Sequence, residues 1–263
     1  MRENYMVDME RGCGLALLLA IAAIAAACAS DSNNICQWHG EVPKMQRRII
    51  DISHAYRHDL PVWDSSTPLG SPVHLQHSFA NGSLFNLSEL KMGCHTGTHV
   101  DAPSHFLQEA YEEGLDVNSL DLEILNGLVL LVDTPREENI TAHTMEKLNI
   151  PFGVERVLFR TLNSDRRLMW RTNFESSFSG FTKDGAQWLV DHTSIKLVGL
   201  DYLSVATYEE AAETHRILLR KQGIILLEGL DLDDIEVGIY VLHCLPMRLI
   251  NAEGSPIRCI LTK

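Results

Sequence analysis

His95-Thr96-Gly97-Thr98-His99-Val100-Asp101-Ala102-Pro103-Ser104-His105-Phe106 places three histidines and an aspartate within eleven residues. Imidazole and carboxylate are ligands that borderline cations such as zinc or manganese accept. A helix would set His95 and His99 on one face. Gly97, Pro103 and the β-branched Thr96, Thr98 and Val100 disfavour one here. An extended chain fits better. Side chains then alternate, so His99 and Asp101 point to the same side. Gly97 permits a bend that brings His95 to them. Pro103 adds a stiff turn that presents His105 close by. The remaining nine histidines of the chain are dispersed, at positions 39, 54, 58, 74, 77, 143, 192, 215 and 243. The dense segment is therefore read as a metal site rather than as solvated loop.

The rest of the chain sets bounds on what such a site can serve. With 263 residues, 45% of them hydrophobic and 22% charged, the chain is long enough for one α/β domain with a sizeable core. The formal net charge is −13 and no run of Lys and Arg occurs. Nucleic acid and anionic membranes are thereby poor partners, and the charge itself says little about the chemistry. Residues 14–29 form an apolar run preceded by Arg11, and Ala27-Cys28-Ala29 is a small-residue cleavage pattern. Residues 1–29 are read as a secretory signal peptide. The run is short and alanine-rich for a membrane anchor, so no stable span is expected. Residues 30–47 read as an irregular mature arm, and 48–263 as the folded domain. Three sequons, at Asn81, Asn86 and Asn139, agree with export as a glycoprotein. The mature chain keeps Cys36, Cys94, Cys244 and Cys259, which allow two disulfides in an oxidising compartment.

Strand-like runs rich in Val, Ile and Leu lie at Arg48–Ile52, Phe85–Lys91, Leu128–Val132, Arg156–Arg160, Ile195–Gly199, Gly223–Glu228, Gly238–His243 and Ile257–Leu261. Helical periodicity covers Thr141–Leu148, Thr182–Asp191 and Tyr208–Gln222, with Thr141 and Thr182 as natural N-caps. Strands outnumber helices without strict alternation, which predicts a mixed, strand-rich α/β domain. Two later residues stand out. His215 sits in an apolar-periodic helix, and Glu228 closes the apolar run Gly223-Ile224-Ile225-Leu226-Leu227. By position alone, His215 either faces solvent or joins a metal site, and Glu228 either ends a strand or pairs with a cation. Cys94, beside His95, is a weaker ligand candidate. Trp63 is either core or the lining of an aromatic pocket. Arg166, Arg167 and Arg171 are either an anion site, a solvated loop or a subunit contact. No GxSxG elbow occurs, which disfavours serine-based hydrolysis.

The segment at 95–106 resembles the signature of the cyclase family, HxGTHxDxPxHF, a family that includes bacterial kynurenine formamidases, isatin hydrolases and plant cyclase-like proteins. The resemblance runs from Ile49-Ile50-Asp51-Ile52-Ser53-His54 through Phe159-Arg160-Thr161-Leu162-Asn163 and Val198–Val205 to Gly254-Ser255-Pro256-Ile257-Arg258. The later segments look like the plant branch. It implies the swivelling β/β/α fold as a single domain over residues 48–263. It also implies one or two zinc or manganese ions per chain, held by His95, His99 and Asp101. Asp101 would bridge to a second ion on His215 and Glu228, which match the family's later ligand segment. Such an ion acidifies a bound water and polarises a carbonyl. His105, past the ligand set, would be the proton shuttle, with a pKa near neutrality. The activity implied is that of an amidohydrolase of the arylformamidase type, acting on N-formylkynurenine-like amides of tryptophan catabolism. Lactone or cyclic-imide hydrolysis is the alternative within the same chemistry, and a non-catalytic regulator with a retained metal is the alternative outside it. A homo-oligomer, dimer or tetramer, is implied, in the cell wall or extracellular matrix.

Overall fold

In the computed structural model, residues 48–220 and 224–263 are described. The expected signal peptide and arm, Cys36 and residues 221–223 lie outside them. The described residues form ten strands: β1 (Ile49–Asp51), β2 (Val73–His77), β3 (Leu87–Leu90), β4 (His99–Asp101), β5 (Asn126–Asp133), β6 (Arg156–Arg160), β7 (Leu197–Leu200), β8 (Ile225–Glu228), β9 (Gly238–Pro246) and β10 (Gly254–Thr262). The three longer helices are α1 (Ala142–Leu148), α2 (Lys183–His192) and α3 (Ala211–Arg220). Strands β5 to β8 are parallel neighbours. Around them β8, β4, β10, β9 and β5 pair antiparallel in turn. The ladder returns to its start, so the sheet closes as a seven-stranded barrel. β1 lies beside β10 on the edge that also carries β4.

Alternation along the strands decides what faces where. Val100, Leu158, Leu227, Leu242 and Leu261 belong to one buried cluster, drawn from five strands, which fills the barrel. Val157, Phe159, Val198, Leu200 and Leu226 point the other way and pack under Met145 of α1, Leu189 of α2 and Leu218 of α3. Parallel strands covered by helices are buried on both faces and so read as continuous apolar runs. The caps are as expected. The Thr141 and Thr182 hydroxyls accept from Thr144 N and Gly185 N and start α1 and α2.

The fold is the expected strand-rich α/β domain, with three adjustments. β9 and β10 run further than the apolar pattern suggests, through Pro246 and back to Gly254. The helix expected from Tyr208 begins at Ala211. Strand β2 was not anticipated. It pairs with β3 alone, as a hairpin apart from the barrel sheet, and every residue of both strands is exposed.

The cysteines resolve in part. Cys244 and Cys259 are register partners on β9 and β10 and form a disulfide inside the barrel. Cys94 is a free thiol.

Candidate metal centre

The barrel topology explains why the signature residues meet. Val100 points into the barrel, so its neighbours His99 and Asp101 point outward, under the helices. On the adjacent strand, Leu227 points inward and Glu228 outward, and His99 and Glu228 are register partners. Side chains of such cross-strand partners lie on the same face within contact distance. Helix α3 lies over this face and lowers His215 onto it. Gly97 supplies the bend before β4. Its φ of +59° is in the left-handed region, and a Cβ there would press on Leu60 and Tyr56.

The resulting cluster is tight. His99 Nε2 lies 3.2 Å from Glu228 Oε2 and 3.6 Å from Asp101 Oδ1. His215 Nε2 lies 3.1 Å from Glu228 Oε1 and 3.5 Å from Asp101 Oδ2. His95 Nδ1 lies 2.9 Å from Asp101 Oδ1. The donor atoms form two trios of metal-binding reach, His95/His99/Asp101 and Asp101/His215/Glu228, which share Asp101. All five sequence-predicted ligands are therefore brought together, and four of them are buried. Backbone groups fix several of them. The Val205 amide donates to Glu228 Oε1 at 2.7 Å, and Gly97 O and Ala211 O face the Nδ1 atoms of His99 and His215.

Electrostatics asks for a cation here. Two carboxylates are buried side by side, an arrangement that is costly unless positive charge compensates it. In the metal-free cluster the imidazoles supply that charge. Burial works against protonated His215, yet Asp101 and Glu228 outweigh it and raise its pKa to about 10. Burial likewise opposes protonated His99, and Glu228 and Asp101 hold its pKa above the usual value. Asp101 stays well below the carboxylate range despite burial, held there by His215 and His95. A divalent ion would replace those protons with two fixed charges, as metal uptake at imidazole sites generally does. Asp101 Oδ2 is buried without a hydrogen-bond partner, which is the position of an atom awaiting a ligand bond. The donor set fits zinc or manganese.

His105 sits on the rim. It ends the short 3₁₀ turn Pro103–His105 and stacks on His95 with ring centroids 3.8 Å apart. Phe106 packs on its other contact at 4.3 Å and stacks on His215 at 4.4 Å. The turn at Pro103 thus does place His105 beside the cluster and outside both trios. Its pKa is not near neutrality. Burial, with help from His95 and His215, pushes it down to about 4 against the pull of Asp101 and Glu228.

Other candidates resolve differently. Cys94 belongs to neither trio. Trp63 packs edge-on against Phe174 and Phe178 and tilted against Tyr208, in the aromatic cluster that also holds Leu60 and Tyr202. The basic cluster is neutralised locally. Arg166 and Arg171 pair with Glu175, and Arg167 pairs with Asp233. One acid near the centre was absent from the sequence reading: Glu253 lies 3.4 Å from His95 Nε2. Nothing in its local sequence marks it.

A closed, helix-covered barrel thus carries a buried cluster of imidazoles and carboxylates that could hold a metal ion. The sequence pattern of the putative cyclase family matches residues 50–207. The chain belongs to the cyclase family. It is 62% identical over 216 residues to cyclase-like protein 1 of Oryza sativa subsp. japonica, covering 82% of this chain and 79% of that one. It is 35% identical over 213 residues to a kynurenine formamidase of Bacillus cereus (strain ATCC 10987 / NRS 248), covering 81% and 96%. A solved predicted metal-dependent hydrolase from Bacillus stearothermophilus superposes with a TM-score of 0.67 at 27% identity, covering 83% and 99%.

Proposed function

We propose that this protein is a metal-dependent amidohydrolase that cleaves small N-acyl amides, with N-formyl aryl amides of the N-formylkynurenine type as the first substrate class. The observation that carries the reading is the buried set His95, His99, Asp101, His215 and Glu228 with His105 stacked at its rim. The named activity of the Bacillus relative supports the amide class. A divalent ion held by these side chains would polarise the substrate carbonyl and acidify the attacking water. The chain's own part is positional. Gly97 O and Ala211 O hold the Nδ1 protons of His99 and His215, so each presents its Nε2 lone pair inward. Asp101 offers one oxygen to each trio. His105, neutral at pH 7, accepts the proton released as water oxygen bonds to the carbonyl carbon. It then delivers that proton to the amine nitrogen as the C–N bond breaks.

Export is part of the proposal. The mature protein would begin at Ser30, reside in the cell wall or extracellular matrix and carry glycan. The three sequon asparagines are all exposed, and the Cys244–Cys259 disulfide suits an oxidising compartment. Among the described residues no helix is long and apolar enough to cross a membrane. A homo-oligomer is proposed too. The hairpin β2–β3 exposes Leu75, Leu87 and Leu90 by half or more, and an isolated two-stranded hairpin is marginal in water.

One preparation tests the reading. Protein purified from the tissue that makes it should contain roughly one or two zinc or manganese ions per chain. It should hydrolyse aryl formamides faster than lactones or cyclic imides, and lose that activity on chelation. Preference for a lactone or imide would keep the centre and change the substrate. A metal-loaded protein inert on all three would make it a regulator. The same sample reports export: mass spectrometry should find an N-terminus at Ser30 and glycan on at least one of Asn81, Asn86 and Asn139. An intact residue 1–29 segment on unglycosylated protein would overturn the compartment.

A further inference from the structure

The three imidazoles of the centre differ on their outer sides. His99 faces Asp101 and Glu228 with Nε2, and its Nδ1 meets Gly97 O at 2.9 Å. His215 does the same, with Nδ1 on Ala211 O at 2.7 Å. An oxygen on the outer nitrogen fixes the tautomer, orients the ring and strengthens the inner nitrogen as a ligand. His95 is turned the other way. Its Nδ1 faces inward, 2.9 Å from Asp101 Oδ1. Its outer Nε2 is buried and has no hydrogen-bond partner. Among the described residues no carbonyl serves it. The Glu253 carboxylate stands 3.4 Å away.

We infer that Glu253 is the positioning residue for His95: with a metal bound, its carboxylate accepts a hydrogen bond from the Nε2–H, so that Nδ1 presents its lone pair to the metal. This rests on the metal-centre reading above. The local construction serves it. The Ala102 amide donates to Glu253 O at 2.8 Å, which ties residue 253 to the end of β4. Gly254, which opens β10, is the register partner of Asp101. A Cβ on Gly254 would collide with Cε1 and Nε2 of His95. Glycine there lets the ring lie flat on the strand, and that leaves Nε2 turned toward Glu253. The Glu253 side chain is 40% exposed, against none for Asp101. It sits on the rim, where a supporting carboxylate belongs, and not among the buried ligands.

The test is metal affinity, measured by competition with a chromophoric zinc chelator on the folded full-length protein. Glu253→Ala should weaken zinc binding by roughly 10- to 100-fold, the usual loss when a ligand histidine's outer partner is removed. Glu253→Gln keeps an oxygen for the Nε2 proton and removes the charge, so its affinity should fall between Ala and wild type. Glu137→Ala, which removes an exposed acid from the loop after β5, should bind as wild type does. In the zinc-loaded wild type, the His95 imidazole should give an Nε2-bound proton resonance that shifts in Glu253→Gln. If wild type binds zinc and Glu253→Ala binds it within twofold, or if the two Glu253 variants merely match Glu137→Ala, Glu253 has no positioning role and the centre stands. If wild type itself binds no zinc or manganese, the centre and this inference fall together.

Discussion

Asp101→Asn should strip the centre of its metal and leave no measurable hydrolysis, while the barrel stays folded. Asp101 is the residue shared by both ligand trios. One of its oxygens faces His95 and His99, and the other faces His215. Glu228 also reaches His99 and His215, but among the described residues Asp101 alone belongs to both trios. The amide is nearly isosteric with the carboxylate and points away from the barrel core, so packing changes little. What is lost is charge and ligand strength. The fall in zinc affinity should exceed the roughly 100-fold upper end seen when a ligand's supporting partner is removed. Competition titration and circular dichroism on the same sample check both halves.

The same substitution has a consequence in the metal-free protein, and its sign is fixed. His215 gains its proton affinity from Asp101 and Glu228, and its pKa stands at about 10 against an ordinary 6.5. A group raised by folding contributes stability that is fully present below its unfolded pKa and is lost as pH rises through the folded one. Metal-free wild type should therefore lose thermal stability between pH 6.5 and 10. Asp101→Asn should show a flatter profile there, because one of the two carboxylates that hold the proton is gone. Equal slopes in the two proteins would mean that Asp101 is not what raises His215.

Much of this centre can be read from the chain, and the reasons are local. His99, Val100 and Asp101 alternate as a strand must, and Gly97 marks the bend that brings His95 back. The apolar runs at β5 to β8 are legible because parallel strands under helices are buried on both faces. Other features leave no such trace. β2 reads Val-His-Leu-Gln-His, pairs with β3 alone and buries nothing, and its short alternation holds only two apolar residues, a weak strand signal. β10 was expected to start at Ile257 because Gly254 and Pro256 look like turn residues. Ile257 N donates to Thr98 O, so the position before it faces the opposite edge, where pairing with β9 begins only at Ile257. The missing N–H of Pro256 costs the ladder nothing. Glu253 was invisible for a different reason. It is far from the signature in sequence, and only closure of β10 against β4 brings it to His95.

His105→Ala should lower kcat by roughly 10²- to 10⁴-fold while metal content and folding stay close to wild type. The separation from the ligands is geometric. His105 lies outside both trios and touches the centre through the face of His95, at 3.8 Å between ring centroids. Its loss removes a proton acceptor and a stacking partner and leaves every ligand atom in place. The pH profile supplies the second readout. Sequence alone suggests a histidine near its usual pKa, and so a rate that rises through about 6.5. Burial between Phe106 and the neighbouring imidazoles instead pushes His105 down to about 4. A base with a depressed pKa is ready over the whole neutral range and fails only when acid protonates it. Wild-type kcat should therefore show no limb at 6.5 that belongs to His105. A limb near 6.5 that is present in wild type and absent from the residual activity of His105→Ala would show that His105 titrates as an ordinary histidine. Loss of metal in His105→Ala, with normal turnover once metal is restored, would make His105 a support for His95 and not the proton carrier.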